Sequence, residues 1–374
     1  MSPSLRDTSR FANLRNPSVI GKARNLHVPR GMIDSLETAK QASLRYVTDA
    51  QPGITREKHG TGFSYHDANG HTIADEDVLK RIHTLAIPPA WSHVWIAPIA
   101  TAHIQATGRD SKGRKQYRYH AKWHATRGET KFGRMPQFGT ALPTLRAHVN
   151  TDLAKRDLAR EKVLGVVVRL LETTYIRVGN EEYARTNGSF GLTTLRNRHV
   201  SVQGDTVRFA FKGKSGKSHT IRLSDRRLAR MVSQCRDLPG QLLFQFVDDN
   251  GDPHPITSSE VNEYVREITG EDFTAKNVRT WAGTLLAAQA LHTVERSGSA
   301  ADAHKAQVAA VQSVASQLGN TPAVCRKGYI HPLVLNAYED TDTHEKWLQA
   351  HQVSRARAGL TREESALLHF LEVA

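Results

Sequence analysis

Asn320 and Tyr329 stand nine positions apart in the stretch QLGNTPAVCRKGYIHP, residues 317–332, just past the point where Gly319 stops an Ala/Val/Gln-rich helical pattern. Arg326 and Lys327 precede the tyrosine. A phenol among cations can simply pack on a core with its hydroxyl in water. It can also attack an electrophile, because neighbouring cations favour phenolate over a phenol whose usual pKa is about 10. Three further stretches bear on the choice. YIRVGNEEYA holds Arg177 at a helix end, FKGKSGK holds Lys214 in a tight hairpin turn, and TAKNVRTWAGT starts a helix at Thr274 with Arg279 on its first turns. Phosphoryl transfer without a metal needs donors that stabilise a pentacoordinate phosphorane and a group that protonates the leaving alkoxide. Arginine forks suit the first task and a lysine the second.

Other motifs suggest different chemistry and fail on spacing or context. GKSGKS, residues 213–218, looks like a phosphate-cradling loop, but the position five before Gly216 is Phe211 rather than glycine, and HTIRLS after it reads as a strand. His120 and His124 have the spacing of helical metal ligands, but their neighbours are cationic and no acid completes a site. Cys325 beside Arg326 could be an activated thiol, and a semi-buried structural cysteine is the simpler reading.

The chain that must position these residues has 374 of them, with 51 Lys and Arg against 37 Asp and Glu, a net charge of +14. Mean hydropathy is −0.49 and the pI is 9.9. These values indicate a soluble globular protein, long enough for two or three domains, whose excess positive charge favours a polyanionic partner, nucleic acid first. Between Arg109 and Arg134 nine cations stand against Asp110 and Glu129, interleaved with Tyr117, Tyr119, Trp123 and Phe132. That mixture suits phosphate contact by the cations and sugar or base packing by the rings. No apolar run reaches membrane-spanning length and the N-terminus lacks a secretory apolar core. Two cysteines, Cys235 and Cys325, exclude a disulfide framework and indicate a reducing compartment.

The predicted fold class is α+β. Residues 1–40 read as a basic flexible arm. Residues 41–126 read as a small β-rich N-terminal domain: a hairpin turning at Asp67–Gly70, an amphipathic helix in DEDVLKRIHTLAI stopped by Pro88 and Pro89, a strand in HVWIAPI, and two strands around a Gly-rich turn in HIQATGRDSKGRKQYRYH. The Gly- and Pro-marked stretch TRGETKFGRMPQFG reads as a linker. Residues 127–374 read as a larger, mainly helical catalytic domain with a three-stranded antiparallel sheet, HVSVQ, TVRFAFK and SHTIRLS. Helical patterns follow Ser224 and Ser258 and cover Thr274 to Leu291 and Ala300 to Leu318. A last helix starts at Thr361, with Glu364 completing a capping box.

Taken in order, these stretches resemble the type IB DNA topoisomerases, in particular their bacterial, poxvirus-like branch. Arg177 in IRVG, Lys214 in FKGK, Arg279 in K-x-x-R-T, and Asn320 with Tyr329 match the family's order of Arg, Lys, Arg, His or Asn, Tyr. IPPAW and DSKGRKQYRYH extend the likeness, which runs from about residue 45 to 340. The resemblance implies that Tyr329 is the nucleophile, forming a 3′-phosphotyrosyl link. Arg177 and Arg279 would hold the phosphorane, Lys214 would protonate the 5′ oxygen, and Asn320 would bind a nonbridging oxygen. Viral and eukaryotic members carry His at the Asn320 position; an amide can donate the same hydrogen bond but cannot titrate. The resemblance further implies DNA contacts from Gln116, Tyr117, Tyr119, Asn180, Tyr183 and Lys276. It implies duplex DNA as partner, no cofactor, metal or ATP, no membrane association, a monomer, and a cytoplasmic, nucleoid-associated location. Two alternatives stand beside it. Tyrosine recombinases share the core chemistry but have H-x-x-R where this chain has Lys276-x-x-Arg279. A non-catalytic DNA-binding protein of the same fold would have no use for Tyr329.

Overall fold

The computed structural model describes residues 36–374, apart from positions 37, 61, 112, 114 and 295–298 and the side chains at 124, 125 and 127–130. Most of the expected arm, residues 1–40, and the side chain of His124 lie outside the described residues. The chain forms two compact units that divide between Trp123 and His124.

The first unit is built on a five-stranded antiparallel sheet. Its strands are β1 (Ile54–His59), β2 (Gly62–His66), β3 (Ser92–Ile96), β4 (Ile104–Arg109) and β5 (Lys115–Tyr119), in spatial order β2-β1-β3-β4-β5. Helix α1 (Glu76–Thr84) starts where Asp75 accepts the backbone N–H groups of Asp77 and Val78, and Glu76 and Asp77 place negative charge at its positive end. Ile82 of α1 is buried in a cluster with Ile54, Tyr65, Val94, Ile96 and Ala106 of the sheet. Arg81 reaches the Gln105 side chain and the Ala97 carbonyl, at 2.9 and 2.7 Å, which ties the helix to β4. The Asp67–Gly70 turn forms as expected, closed by Asp67 Oδ1 accepting from Asn69 and His71. Beyond it, however, only the isolated bridge His66–Thr72 follows; β2 pairs along its length with the preceding β1.

Helix α2 (Ala121–Gly133) leads into the second unit and is followed by α3 (Met135–Leu153). The stretch expected to be a linker, residues 126–139, is therefore helical. Gly133 ends one helix, and Pro136 sits in the first turn of the next, where its missing N–H would have no partner. The long helical pattern beyond it divides into α3 and α4 (Arg160–Thr174). Ten of the fifteen residues of α4 are buried, including the unbroken run from Lys162 to Val168, so this helix runs through the core. Lys162 is buried too, and its ammonium satisfies the Lys155 and Arg156 carbonyls beyond the end of α3, at 2.7 and 3.1 Å.

After α5 (Glu181–Asn187) come β6 (Val200–Gln203), β7 (Thr206–Lys212) and β8 (Ser218–Ser224), a three-stranded antiparallel sheet. Val207, Phe209 and Phe211 alternate inward onto the core. The remaining elements are α6 (Arg226–Arg236), a small hairpin of β9 (Gln245–Val247) and β10 (Pro253–Pro255), α7 (Ser258–Thr269), α8 (Ala275–His292), α9 (Ala300–Leu318), α10 (Pro322–Gly328), α11 (Pro332–Glu339), α12 (Thr341–Val353) and α13 (Arg362–Val373). The fold is thus α+β, with helices predominating in the second unit.

One ionic knot joins α3, α4, α8 and α13. Arg146 Nε donates to Glu172 at 2.9 Å, while Nη1 and Nη2 donate to the two oxygens of Glu364 at 2.7 Å each. The Glu364 carboxylate also accepts from Trp281 Nε1 and from the Thr361 backbone N–H that it caps, at 3.3 and 2.9 Å. Burial alone would raise the Glu364 pKa, but the Arg146 and Thr361 hydrogen bonds outweigh it and leave the pKa lowered. A lowered native pKa contributes stability above the unfolded value, and this is lost as pH falls through the native one. Glu364→Gln should therefore destabilise the protein by about 3 kcal/mol near neutral pH, the scale for breaking a buried pair. The deficit, read from denaturant titrations, should persist down to the ordinary glutamate value of about 4.3 and fade below it as the wild-type carboxylate is protonated.

Candidate active site

Helix α4 ends at Thr174 because Tyr175 turns left-handed, with φ 56°. The chain then runs alongside residues 191–193, where Leu192 and Thr193 donate to the Arg177 and Val178 carbonyls at 2.8 and 2.7 Å. This pins the Arg177 backbone. Its guanidinium reaches across to the Gly319 carbonyl at 3.2 Å and to Oδ1 of Asn320. Gly319 is the residue that makes the meeting possible. It caps α9 at φ +62°, and a Cβ there would lie 2.2 Å from the His219 ring. Any side chain would face both a strained backbone and a blocked space.

Arg279, on the second turn of α8, is only 3% exposed. Its Nη2 donates to the Leu318 carbonyl at 2.9 Å, and its guanidinium carbon lies 5.4 Å from the centroid of the Tyr329 ring. Among the described residues Nε and Nη1 are buried with no hydrogen-bond partner, and Asn320 Nδ2 is likewise buried without one. Each such donor costs roughly 1–3 kcal/mol when desolvated and unpaired. Burial pulls the Arg279 pKa down, with Tyr329 pulling the other way; the same opposition acts at Arg177. The structure therefore brings Arg177, Arg279, Asn320 and Tyr329 together around donors that have no acceptor.

Tyr329 caps α10, a short helix opened by Thr321 and Pro322, and the next helix, α11, opens at His331 and Pro332. The tyrosine thus sits on the joint between them. Its cationic setting is real but does not come from its sequence neighbours. Arg326 turns to Gln307 Oε1 on α9, at 2.8 Å, and Lys327 is exposed. Successive helical residues point in directions about 100° apart, so adjacency in sequence is a poor guide to what faces the phenol. The neighbouring cations are Arg279 and Lys131, whose Nζ lies 5.5 Å from the ring centroid. Sequence reasoning counted Lys131 only as part of a basic run.

Lys214 stands apart from the cluster. It is exposed in the turn between β7 and β8, without a hydrogen-bond or ion-pair partner among the described residues. Ser215 and Gly216 beside it adopt positive φ, 64° and 74°. Lys217 of the same turn reaches the Asn320 carbonyl at 3.0 Å, and His219 packs against Phe211, so the hairpin is tied to the cluster at its base while Lys214 projects from its tip. As the spacing implied, a strand follows GKSGKS. Cys325 is fully buried, and burial pushes its thiol pKa up against the pull of Asn320 and the two arginines, which suits a structural role.

Of the residues expected to contact DNA, Gln116, Tyr117 and Tyr119 lie on edge strand β5 of the first unit. Gln116 donates to Asp110 at 3.0 Å, and Tyr117, 43% exposed, stacks on Tyr119 with centroids 5.7 Å apart. In the second unit Asn180 caps α5 by accepting from the Tyr183 N–H at 2.9 Å, and Tyr183 is 42% exposed. Lys276 is exposed on the first turn of α8.

Residues 120–355 match the catalytic core of eukaryotic DNA topoisomerase I, and residues 62–110 match the N-terminal domain of bacterial DNA topoisomerase IB. DNA topoisomerase 1B of Acanthamoeba polyphaga mimivirus is 32% identical over 295 residues, covering 77% of this chain and 88% of that protein. DNA topoisomerase 1B of Vaccinia virus (strain Copenhagen) is 24% identical over 246 residues, covering 64% and 74%. An α+β chain with this cluster and these relatives belongs to the type IB DNA topoisomerase family, and it is an isomerase that acts on DNA. Its N-terminal domain is of the bacterial type.

Gly283 shows how closely α8 approaches the tyrosine. A Cβ there would lie 2.6 Å from the Tyr329 carbonyl oxygen and 3.2 Å from its Cβ. Alanine would gain about 1 kcal/mol of helix propensity, but overpacking against backbone costs about 1–3 kcal/mol. Gly283→Ala should therefore displace the Tyr329 backbone with a melting temperature little changed. A structure of the variant beside its thermal unfolding checks this.

Proposed function

We propose that the protein relaxes supercoiled duplex DNA by cutting one strand through Tyr329 and resealing it. The observation that carries this reading is the set of buried donors without acceptors, Arg279 Nε and Nη1 and Asn320 Nδ2, gathered beside the Tyr329 ring. Unpaired buried donors around a nucleophile are what an anionic transition state requires of its site. On this reading the Tyr329 oxygen attacks a backbone phosphorus, the bond to the 5′ oxygen breaks, and a 3′-phosphotyrosyl link forms. Arg177 and Arg279 hold the phosphorane, and Asn320 donates to a nonbridging oxygen. Arg177, bonded to Gly319 and Asn320 in the free protein, exchanges those acceptors for phosphate oxygens. The cut end rotates, and the 5′ hydroxyl then attacks the link and releases Tyr329. The phosphodiester energy is retained throughout, so neither ATP nor a metal is required by the chemistry.

Lys214 serves as the general acid for the 5′ oxygen. Its place at the tip of a turn fixed at the base suits a long cation that swings in once DNA is bound. Gln116, Tyr117 and Tyr119 grip the duplex from the first unit, while Asn180, Tyr183 and Lys276 do so from the second. The protein works as a monomer on DNA, associated with the nucleoid.

Tyr329→Phe should bind duplex DNA normally yet form no covalent adduct on a denaturing gel; a Phe variant that still relaxes plasmid would exclude Tyr329 as nucleophile. For Lys214, general-acid help is typically worth about 100- to 10,000-fold, and Lys214→Ala should slow cleavage on that scale. Replacing the bridging 5′ oxygen with sulfur creates a thiolate leaving group of pKa about 8.5, by analogy with cysteine, which departs without a proton. Lys214→Ala should recover most of its rate on that substrate, and Arg279→Ala should not. Equal rescue of both variants, or of neither, would make Lys214 a phosphate anchor instead.

A further inference from the structure

Among the described residues two cations adjoin the Tyr329 ring, and of these two the reaction described above employs only Arg279. The other, Lys131, lies near the end of α2. Its Nζ donates to the carbonyl of Gly328, the residue immediately before Tyr329. The same nitrogen lies 4.4 Å from the centroid of the Phe132 ring and 5.5 Å from that of Tyr329. Gly328 is the last residue of α10, so its carbonyl is one of the helix-end acceptors that the helix itself cannot satisfy. We propose that Lys131 is a positioning residue for Tyr329: by holding the Gly328 carbonyl it fixes the backbone from which the phenol projects, and so sets the phenol against Arg279. The role rests on the reading of Tyr329 as the nucleophile.

The charges around the ammonium make this hold dependent on pH. Lys131 faces Lys276 from α8, Cys325 from α10, the Tyr329 phenol with Arg279 on the same ring, and His331 at the start of α11. Burial first, and Lys276 second, bring the Lys131 pKa down to about 7, with Cys325 pulling the other way. Burial also brings His331 down to about 4, and burial pushes the Cys325 thiol up, so neither changes charge near neutrality. Arginine stays protonated throughout. The ammonium is present below about pH 7 and is lost above it. A neutral amine makes a hydrogen bond roughly half as strong as a charged donor does, so the grip on Gly328 loosens as pH rises.

The test is single-turnover cleavage of a short duplex by wild type, Lys131→Met and Lys131→Arg, with duplex affinity and melting temperature measured alongside. A misplacement of about 1 Å costs about 100-fold in rate, and Lys131→Met should lose cleavage on that scale while binding DNA as wild type does. Lys131→Arg, still able to donate to Gly328, should recover most of the rate. The ratio of wild-type to Lys131→Arg rate should fall from about pH 6 to about pH 10, because lysine gives up its proton in that window and arginine does not. A Lys131→Met variant that cleaves at the wild-type rate overturns the proposal, and so does a ratio that stays flat with pH. Should Lys131→Met melt early, the pH dependence of the ratio decides alone. Tyr329→Phe in the same assay separates the two assignments. If it still forms an adduct, the nucleophile reading has failed and Lys131 falls with it. If it is inert while Lys131→Met reacts normally, only the role of Lys131 is lost.

Discussion

A guanidinium enclosed in the helical core is the constraint on which the second unit turns. Arg279 shares α8 with Val278, Trp281, Ala287 and Leu291, all buried, and it is as hidden as they are. Removing such a charge from water costs roughly several kcal/mol. Among the described residues it is offset by one carbonyl, Leu318, and the face of one ring, Tyr329. The deficit must be carried by the surroundings. They include the long apolar burial of α4 and the knot in which Arg146 and Trp281 share the carboxylate of Glu364. The helix that presents Arg279 is clamped two residues further on, at Trp281, so the charge is held where packing places it rather than where solvation would draw it.

The same arrangement explains why the tyrosine lies on a joint. Helices α10 and α11 are each too short to be stable alone; their proline-started turns are held by contacts with α8 and α9. Segments of this kind open more readily than core helices. Tyr329 thus stands on a backbone that is placed by its neighbours and can yield.

Much of this was legible in the sequence where local and tertiary signals agree. The Asp75 cap with Pro88 and Pro89 marks α1, period-two alternation marks β7, and Thr361 with Glu364 marks α13. Where prolines open helices rather than close them, the reading failed. Pro136, Pro322 and Pro332 all stand in first turns, and α10, α11 and the stretch 126–139 were missed or misread for that reason. That Arg177, Arg279, Asn320 and Tyr329 lie together was legible in their order along the chain. Lys131 was not, because one lysine in a basic run carries no mark of burial; only the packing of α2 against the Gly328 carbonyl supplies it. Arg326 and Lys327 misled for the converse reason, being near in sequence but turned elsewhere.

The Arg146–Glu364 pair spans 218 positions of sequence. During synthesis, Arg146 leaves the ribosome long before its partner exists, and α8 follows while the carboxylate that receives Trp281 is still untranslated. The pair is thus a contact of high sequence separation, whose long loop must close before the contact stabilises anything.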